Sequence, residues 1–367
     1  MDPNARITDV GPGSTGKRPR TLVILSPGFP KDESDSTCLP AQQLFVSALN
    51  RCFPTLQVVI LAFEYPFSKE PYRWHGNLVI PFDGWNKGRL NKVLVWTKAW
   101  NTLNGLRHDR DVLGLLSFWC TACSLVGTWY GRRKDLPHFT WILGQDARRN
   151  RYIRFIRPRP EHLVAMSDSL ATEFRANYGI LPRHIVTNGI DAAQYPRPAR
   201  DASARDIDVL GVGSLIPLKQ YDLFLAVIRQ MADRRPDIRS VICGKGPEED
   251  RLRELIRKER LEDKVELAGE RPHDEVLRLM QRSRVFLHTS SYEGFSTVCL
   301  EALYAGAHVL SLVKPTPLPV KHWQVADRWQ DMAGLALGIL QDPAPDHSPV
   351  LLYTMDDSAR GMMRLFE

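Results

Sequence analysis

Cysteine is too sparse and too scattered for a disulfide scaffold. The six in 367 residues stand at 38, 52, 120, 123, 243 and 299, which is not the spacing of a secreted framework. The single C-x-x-C pair, Cys120 and Cys123, has no second pair or His/Cys cluster to complete a zinc site, so it reads as two buried thiols one helical turn apart. No leader-like segment precedes the first strand, and a reducing cytoplasm is the expected compartment. Long apolar runs are also scarce. Residues 112–130 are nineteen without a charge, but Ser117, Thr121, Ser124, Thr128 and two glycines interrupt them. They are read as a strand over 112–118 and a core helix over 121–130 in preference to a membrane span. An acidic excess is absent: the net charge is +7, which favours an anionic partner such as a nucleotide, a phospholipid surface or a nucleic acid. No nucleic-acid motif accompanies the charge, so no nucleic-acid partner is expected. With 25% charged and 9% aromatic residues the chain is not of a disordered or fibrous class, and 43% apolar residues suffice for a core in each of two domains.

One stretch organises the rest. Residues 285–288 form an apolar run that reads as a buried strand. A Ser/Thr-rich turn leads from it to Glu293 and Gly294, and residues 296–304 have helical composition. The helix N-terminus therefore points at whatever the loop binds. Glu293 falls in the loop and Glu301 in the second helical turn, so two carboxylates border a patch of free backbone N–H groups. Carboxylates suit sugar hydroxyls and N–H groups suit phosphate, and a nucleotide sugar satisfies both.

The segment EGFSTVCLEAL resembles the glutamate signature of retaining GT-B glycosyltransferases of family 4 (glycosyl transferases group 1). Residues 186–191, 211–219, 243–247 and 267–269 resemble further landmarks of that family, in its order and at about its spacing, and together the resemblance covers roughly residues 20–367. It implies an α/β fold of GT-B type, with two doubly wound Rossmann-like domains facing across a cleft. The expected divisions are a flexible tail over 1–20, an N-terminal acceptor-side domain over 21–195, a nucleotide-sugar-binding domain over 206–350 and a terminal segment over 351–367 crossing back to the first domain. A Pro-rich linker over 192–205 joins the halves.

Within the first domain the turn at Gly28 ends the first strand. The loop over 31–40 should line the cleft; it is poorer in glycine than the family's counterpart, leaving Ser34, Ser36 and Thr37 as candidate phosphate donors. Residues 64–89 read as irregular. Residues 90–106 read as a basic amphipathic helix with Leu90, Val93, Leu94, Ala99 and Leu103 on one side and Trp85, Trp96 and Trp100 interleaved with lysines. Such a helix suits peripheral contact with an anionic membrane, or simply packing on the sheet. On the acceptor side the candidates are Gly28, Ser117, Gln145 and Asp146, with Asp146 the residue expected to meet an acceptor hydroxyl. The family's histidines are replaced here by Leu143 and by the Ser117 strand end. A run of arginines over 148–159 follows.

In the second domain, donor-binding candidates are Gly213, Ser214, Lys219, Gly244, Gly269, Glu293, Gly294, Phe295, Ser296, Thr297, Val298 and Glu301. Ser214 stands where the family commonly has an arginine. The resemblance implies that Glu301 holds the ribose, Glu293 the sugar hydroxyls, residues 269–272 the base, and Lys219 with the 294–298 N–H groups the diphosphate. Glu293, Lys219 and Asp146 are the catalytic candidates. No cofactor and no metal are expected, the nucleotide sugar being the donor substrate. The expected activity is sugar transfer with retention to a hydroxyl of a glycan or lipid-linked acceptor in cell-envelope synthesis, in the cytoplasm or at the inner face of the plasma membrane. The alternatives are a phosphorylase on the same fold and a degenerate, non-catalytic partner in a polysaccharide assembly complex.

Overall fold

Apolar residues follow one another without alternation at Leu22, Val23, Ile24 and Leu25, and again at Val285, Phe286 and Leu287, so both faces of these strands must be covered. In the computed structural model of the protein they are. The structure describes residues 18–85, 89–148, 150–195, 205–313 and 319–367. Leu22 and Ile24 enter one core cluster and Val23 and Leu25 another, on opposite faces of the first sheet. Val285 and Leu287 enter one cluster and Phe286 another about the second.

The first sheet contains β1 (Arg20–Gly28), β2 (Gln57–Tyr65), β3 (Tyr72–Trp74), β4 (Asn77–Pro81), β5 (Asp111–Phe118), β6 (His138–Ile142), β7 (Leu163–Ala165) and β8 (His184–Ile185), in the spatial order β3-β4-β2-β1-β5-β6-β7-β8. All its pairings are parallel except β3 with β4. Its helices are α1 (Pro40–Cys52), α2 (Arg89–Asp109), α3 (Ala122–Lys134), α4 (Ile153–Ile156) and α5 (Asp168–Tyr178). The second sheet contains β9 (Ile207–Val212), β10 (Ser240–Cys243), β11 (Val265–Gly269), β12 (Ser283–His288), β13 (His308–Ser311) and β14 (Trp323–Val325), all parallel, in the order β11-β10-β9-β12-β13-β14. With it go α6 (Tyr221–Ala232), α7 (Glu249–Lys258), α8 (His273–Arg282), α9 (Thr297–Tyr304) and α10 (Trp329–Gln341). Strand order reverses between β1 and β5 in one sheet and between β9 and β12 in the other. Those reversals open crevices at the carboxyl ends of the strands, where doubly wound sheets bind ligands.

The stretch read as a strand and core helix is β5 followed by α3, and no helix among the described residues is long and apolar enough to cross a membrane. Cys120 and Cys123 are free and buried. Two readings are corrected. The segment over 64–89 is not irregular throughout, because Asn77–Pro81 joins the sheet beside β2 and Tyr72–Trp74 folds back on it. The inward face of α2 is Val95, Ala99, Leu103 and Leu106, whereas Val93 and Leu94 are exposed. Trp96 and Trp100 pack on the domain core, Trp100 edge-on to Tyr130 at 4.9 Å, and are not offered to a membrane. The expected tail and linker lie largely outside the described residues, at 1–17 and 196–204.

The chain's last helix, α11 (Met355–Met363), does cross back. Met355, Ala359, Met362 and Met363 are buried in the first domain's core beside α1. Its entry is pinned by backbone bonds, Ile190 N–H to Tyr353 O at 3.1 Å and Met355 N–H to Ile190 O at 2.9 Å, and by Arg51 bridging Asp191 and Asp356. A Cβ at Gly189 would lie 2.2 Å from the Thr354 carbonyl carbon, so glycine permits this approach. Met362→Ala should destabilise the protein by about 2–5 kcal/mol. Hydrogen exchange should show the lost protection in α1; unchanged exchange there contradicts the crossing.

Candidate active site

The β9–β12 crevice of the second sheet brings Lys219, His288 and Glu293 together. His288 ends β12, and Lys219 closes a short 3-10 turn over residues 217–219 after β9. The two loops are stapled to each other: the Thr289 hydroxyl donates to Lys219 O at 2.9 Å, the Ser291 N–H to Leu218 O at 3.0 Å and the Ser290 hydroxyl to Leu218 O at 3.3 Å. The Ser/Thr richness of this turn thus fixes the loop itself. Lys219 Nζ then donates to Glu293 Oε1 at 2.5 Å and His288 Nε2 lies 2.8 Å from the same oxygen. Burial pushes the Glu293 carboxyl up, but the His288 hydrogen bond and the Lys219 charge outweigh it and hold it at about 2. Lys219 and His288 thus favour the anionic form of Glu293.

The helix α9 starts just beyond. Its N-cap, Ser296, is buried and its hydroxyl has no hydrogen-bond partner among the described residues. The first turn of α9 begins beside the same loop, with the Thr297 N–H donating to Phe295 O at 3.0 Å, and a helix N-terminus so placed suits an anion. One turn on, Glu301 is largely buried and its Oε1 lies 2.9 Å from His273 Nε2, the first residue of α8. The glycine turns after β9, β10 and β11 are bonded in series, Gly213 N–H to Cys243 O at 3.0 Å and Gly244 N–H to Gly269 O at 2.9 Å. A Cβ at Gly244 would stand 1.9 Å from Gly213 O at φ +153, so only glycine leaves the turns this close. Ser214 is exposed at their edge.

Across the cleft the loop carrying Glu293 touches the first domain. The Tyr292 hydroxyl donates to Gly144 O at 2.7 Å, and the Ser167 hydroxyl, which also caps α5, donates to Gly294 O at 3.0 Å. The Arg148 guanidinium lies 3.6 Å from the Tyr292 ring centre. A Cβ on Gly294 would lie 2.5 Å from the Gly144 Cα, so the two backbones meet only because both residues are glycine. Phe295 packs on Tyr353 at 5.9 Å and the Thr297 hydroxyl accepts from Asn188 at 3.4 Å.

The acceptor-side expectations fare differently. Gln145 is exposed beside Gly144, and Gly28 ends β1 against Tyr65. Asp146 does not present its carboxylate to an acceptor. It is 3% exposed, Oδ1 accepts from Cys120 N–H and Asn150 Nδ2 and Oδ2 from Leu143 N–H, all at 3.0 Å. Burial lifts it to about 7 against those bonds, and its task is to hold the Gly144 turn. Ser117 is fully buried, 2.8 Å from His138 Nε2, and faces the core. The hydroxyls of Ser34 and Thr37, read as phosphate donors, are spent on Asp32 and Asp35. Sequence reasoning passed over His273, His288, Tyr292 and Gly144 as site residues. His288 closes an apolar strand and His273 opens a charged helix, so neither carries a local signal.

The His273–Glu301 pair yields a pH prediction. The hydrogen bond to Glu301 raises the His273 pKa against its burial. The pair's stabilisation is therefore fully present below histidine's ordinary pKa and is lost as pH rises through the raised one. Glu301→Gln should lower the melting temperature more at about pH 6 than at about pH 9; an equal loss at both contradicts the pairing.

A family model described as Glycosyl transferases group 1 matches residues 197–320, which contain every donor-side residue above. The gpi3 subunit of phosphatidylinositol N-acetylglucosaminyltransferase from Schizosaccharomyces pombe is 30% identical over 164 residues, 44% of this chain and 36% of that protein. The chain's matches span between 26% and 52% of the length of its curated relatives. Sucrose-phosphate synthase from Thermosynechococcus elongatus superposes with a TM-score of 0.67 at 16% identity over 95% of each chain. HepE from Anabaena, in complex with UDP, superposes with a TM-score of 0.66 at 17% identity over 95% of this chain and 96% of that one. At these identities the superpositions show the fold. Residues 197–320 thus match the glycosyl transferases group 1 model, and the chain as a whole has the GT-B fold of its structural neighbours.

Proposed function

We propose that the protein is a glycosyltransferase that moves a sugar, with retention, from a nucleoside diphosphate sugar to a hydroxyl of a glycan or lipid-linked acceptor. The observation that carries this reading is the convergence of Lys219 and His288 on Glu293 beside the N-terminus of α9. A similar fold holds UDP in HepE, and the gpi3 relative is named for transfer to a phosphatidylinositol.

Each group then has a task. The diphosphate lies against the first turn of α9, where Ser296 and the backbone N–H groups receive it. An ammonium has three donors, so Lys219 can hold Glu293 with one and meet the leaving diphosphate with the others. Glu293 accepts from sugar hydroxyls and Glu301 from the ribose, with His273 orienting it. As the anomeric bond breaks, negative charge grows on the diphosphate and positive charge on the sugar. Lys219 and the helix end stabilise the first, and the anionic Glu293 lies on the side of the second. The acceptor hydroxyl enters from the Gly144–Gln145 side and attacks on the face the diphosphate leaves, its proton passing to the departing diphosphate oxygen as the anomeric bond to that oxygen breaks. The balancing cations in this scheme belong to the protein, so the reaction is proposed to run without a metal.

A second reading, a non-catalytic partner in polysaccharide assembly, is favoured by one feature: Ser214 is exposed where a second cation would stand. Two measurements separate them. A UDP-, GDP- or ADP-sugar that binds the folded state should raise the melting temperature by mass action. Glu293→Gln and Lys219→Ala should each lower turnover roughly a hundredfold or more while the protein stays folded. No shift with any of the nucleotides supports the partner reading and contradicts the transferase.

A further inference from the structure

The segment that turns away from the cleft at Gly144 leads into a face that the transfer reaction does not use. There α3 and α4 pack side by side, and Arg132 of α3 donates to the Arg157 carbonyl at the end of α4 at 2.8 Å. Trp129, Arg132 and Arg133 share one exposed helical face by their i, i+3, i+4 spacing. Arg154 and Phe155 of α4, and Arg151 just before it, are exposed as well. Phe155 is 60% exposed and Trp129 46%, high values for large aromatic rings. Two bare rings set among at least four exposed guanidinium groups form a surface that is apolar at its points and cationic around them.

We propose that this α3–α4 face docks on an anionic phospholipid surface, Phe155 and Trp129 entering the headgroup boundary and the arginines meeting the lipid phosphates. Charge complementarity selects the occupant. A neutral protein partner would leave the arginines without counter-charges, while a nucleic acid would use the cations without needing two separated apolar points. The face includes part of the arginine run over 148–159, whereas the α2 tryptophans at 96 and 100 are packed inward. The inference deepens the lipid-linked acceptor class proposed above and rests on it, since docking would hold the protein on the surface that carries such an acceptor.

The test is flotation of the full-length protein with phosphatidylcholine vesicles, with and without phosphatidylglycerol, which reads neither nucleotide binding nor turnover. The protein should float with the anionic vesicles, stay down with phosphatidylcholine alone, and be released by high salt. Arg133→Gln with Arg154→Gln should lower the partition roughly twentyfold. Phe155→Ser with Trp129→Ser should lower it further than salt screening explains. Val93→Ser with Leu94→Ser on α2, where the exposed apolar pair offers the competing contact, should leave it unchanged. A protein that ignores anionic vesicles overturns the proposal. So does one released by the α2 changes and not by those on α3 and α4, or one that binds single-stranded RNA but no vesicle. The thermal shift with nucleotide sugars, measured on the same variants, keeps failure of docking distinct from failure of the transferase reading.

Discussion

A carboxylate taken largely out of water must be neutralised where it stands, and the cleft is built around doing this for Glu293. Its two partners come from separate places in the sequence, Lys219 after β9 and His288 at the end of β12, and meet on one oxygen. They can meet because strand order reverses between those two strands, opening a crevice that the loops on either side fill. Removing one partner of such a buried pair typically costs about 3–5 kcal/mol, since the remaining charge is left uncompensated. The same strength makes the pair useful: it fixes a negative charge beside a helix N-terminus without letting the two neutralise each other by contact.

The second constraint is the approach of the two domains. Gly144 and Gly294 meet backbone to backbone, and Tyr292, next to Glu293 in sequence, bonds across to Gly144. The position of Glu293 is thereby tied to a turn of the first domain, which Asp146 holds from beneath with both oxygens. The returning helix α11 completes the link. Its buried methionines make the end of the chain part of the first domain's core, so the segment before it spans both halves.

Much of this was legible in the sequence, for physical reasons that can be named. Strands buried on both faces announce themselves as unbroken apolar runs, which is why β1 and β12 were readable. The glycine turns were readable because their close approach tolerates no side chain, as at Gly244. Glu293 and Glu301 stood out by their spacing around a helix start, and Lys219 by the glycine turn just before it. The losses were of another kind. Ser117 and Asp146 are polar residues at strand ends, where a side chain can turn to the cleft or to its own backbone, and only the fold decides which. Here His138 and the Leu143 and Cys120 N–H groups claim them. The pairings of His273 with Glu301 and of His288 with Glu293 required knowing which helix and strand ends adjoin. The faces of α2 were misassigned because tryptophans and lysines alternate along it and its apolar stripe is weak. The edge hairpin of β3 and β4 was hidden by the aromatics and prolines around it.

The central claim is that the crevice between β9 and β12 is the donor site, with Glu293 held by Lys219 and His288 at its floor. A crystal structure of the protein with UDP tests it most directly. The account predicts the diphosphate against the first turn of α9 within hydrogen-bond distance of Lys219, the ribose at Glu301, and Glu293 still bonded to His288. UDP bound elsewhere, or bound with its diphosphate away from Lys219 and α9, would contradict it.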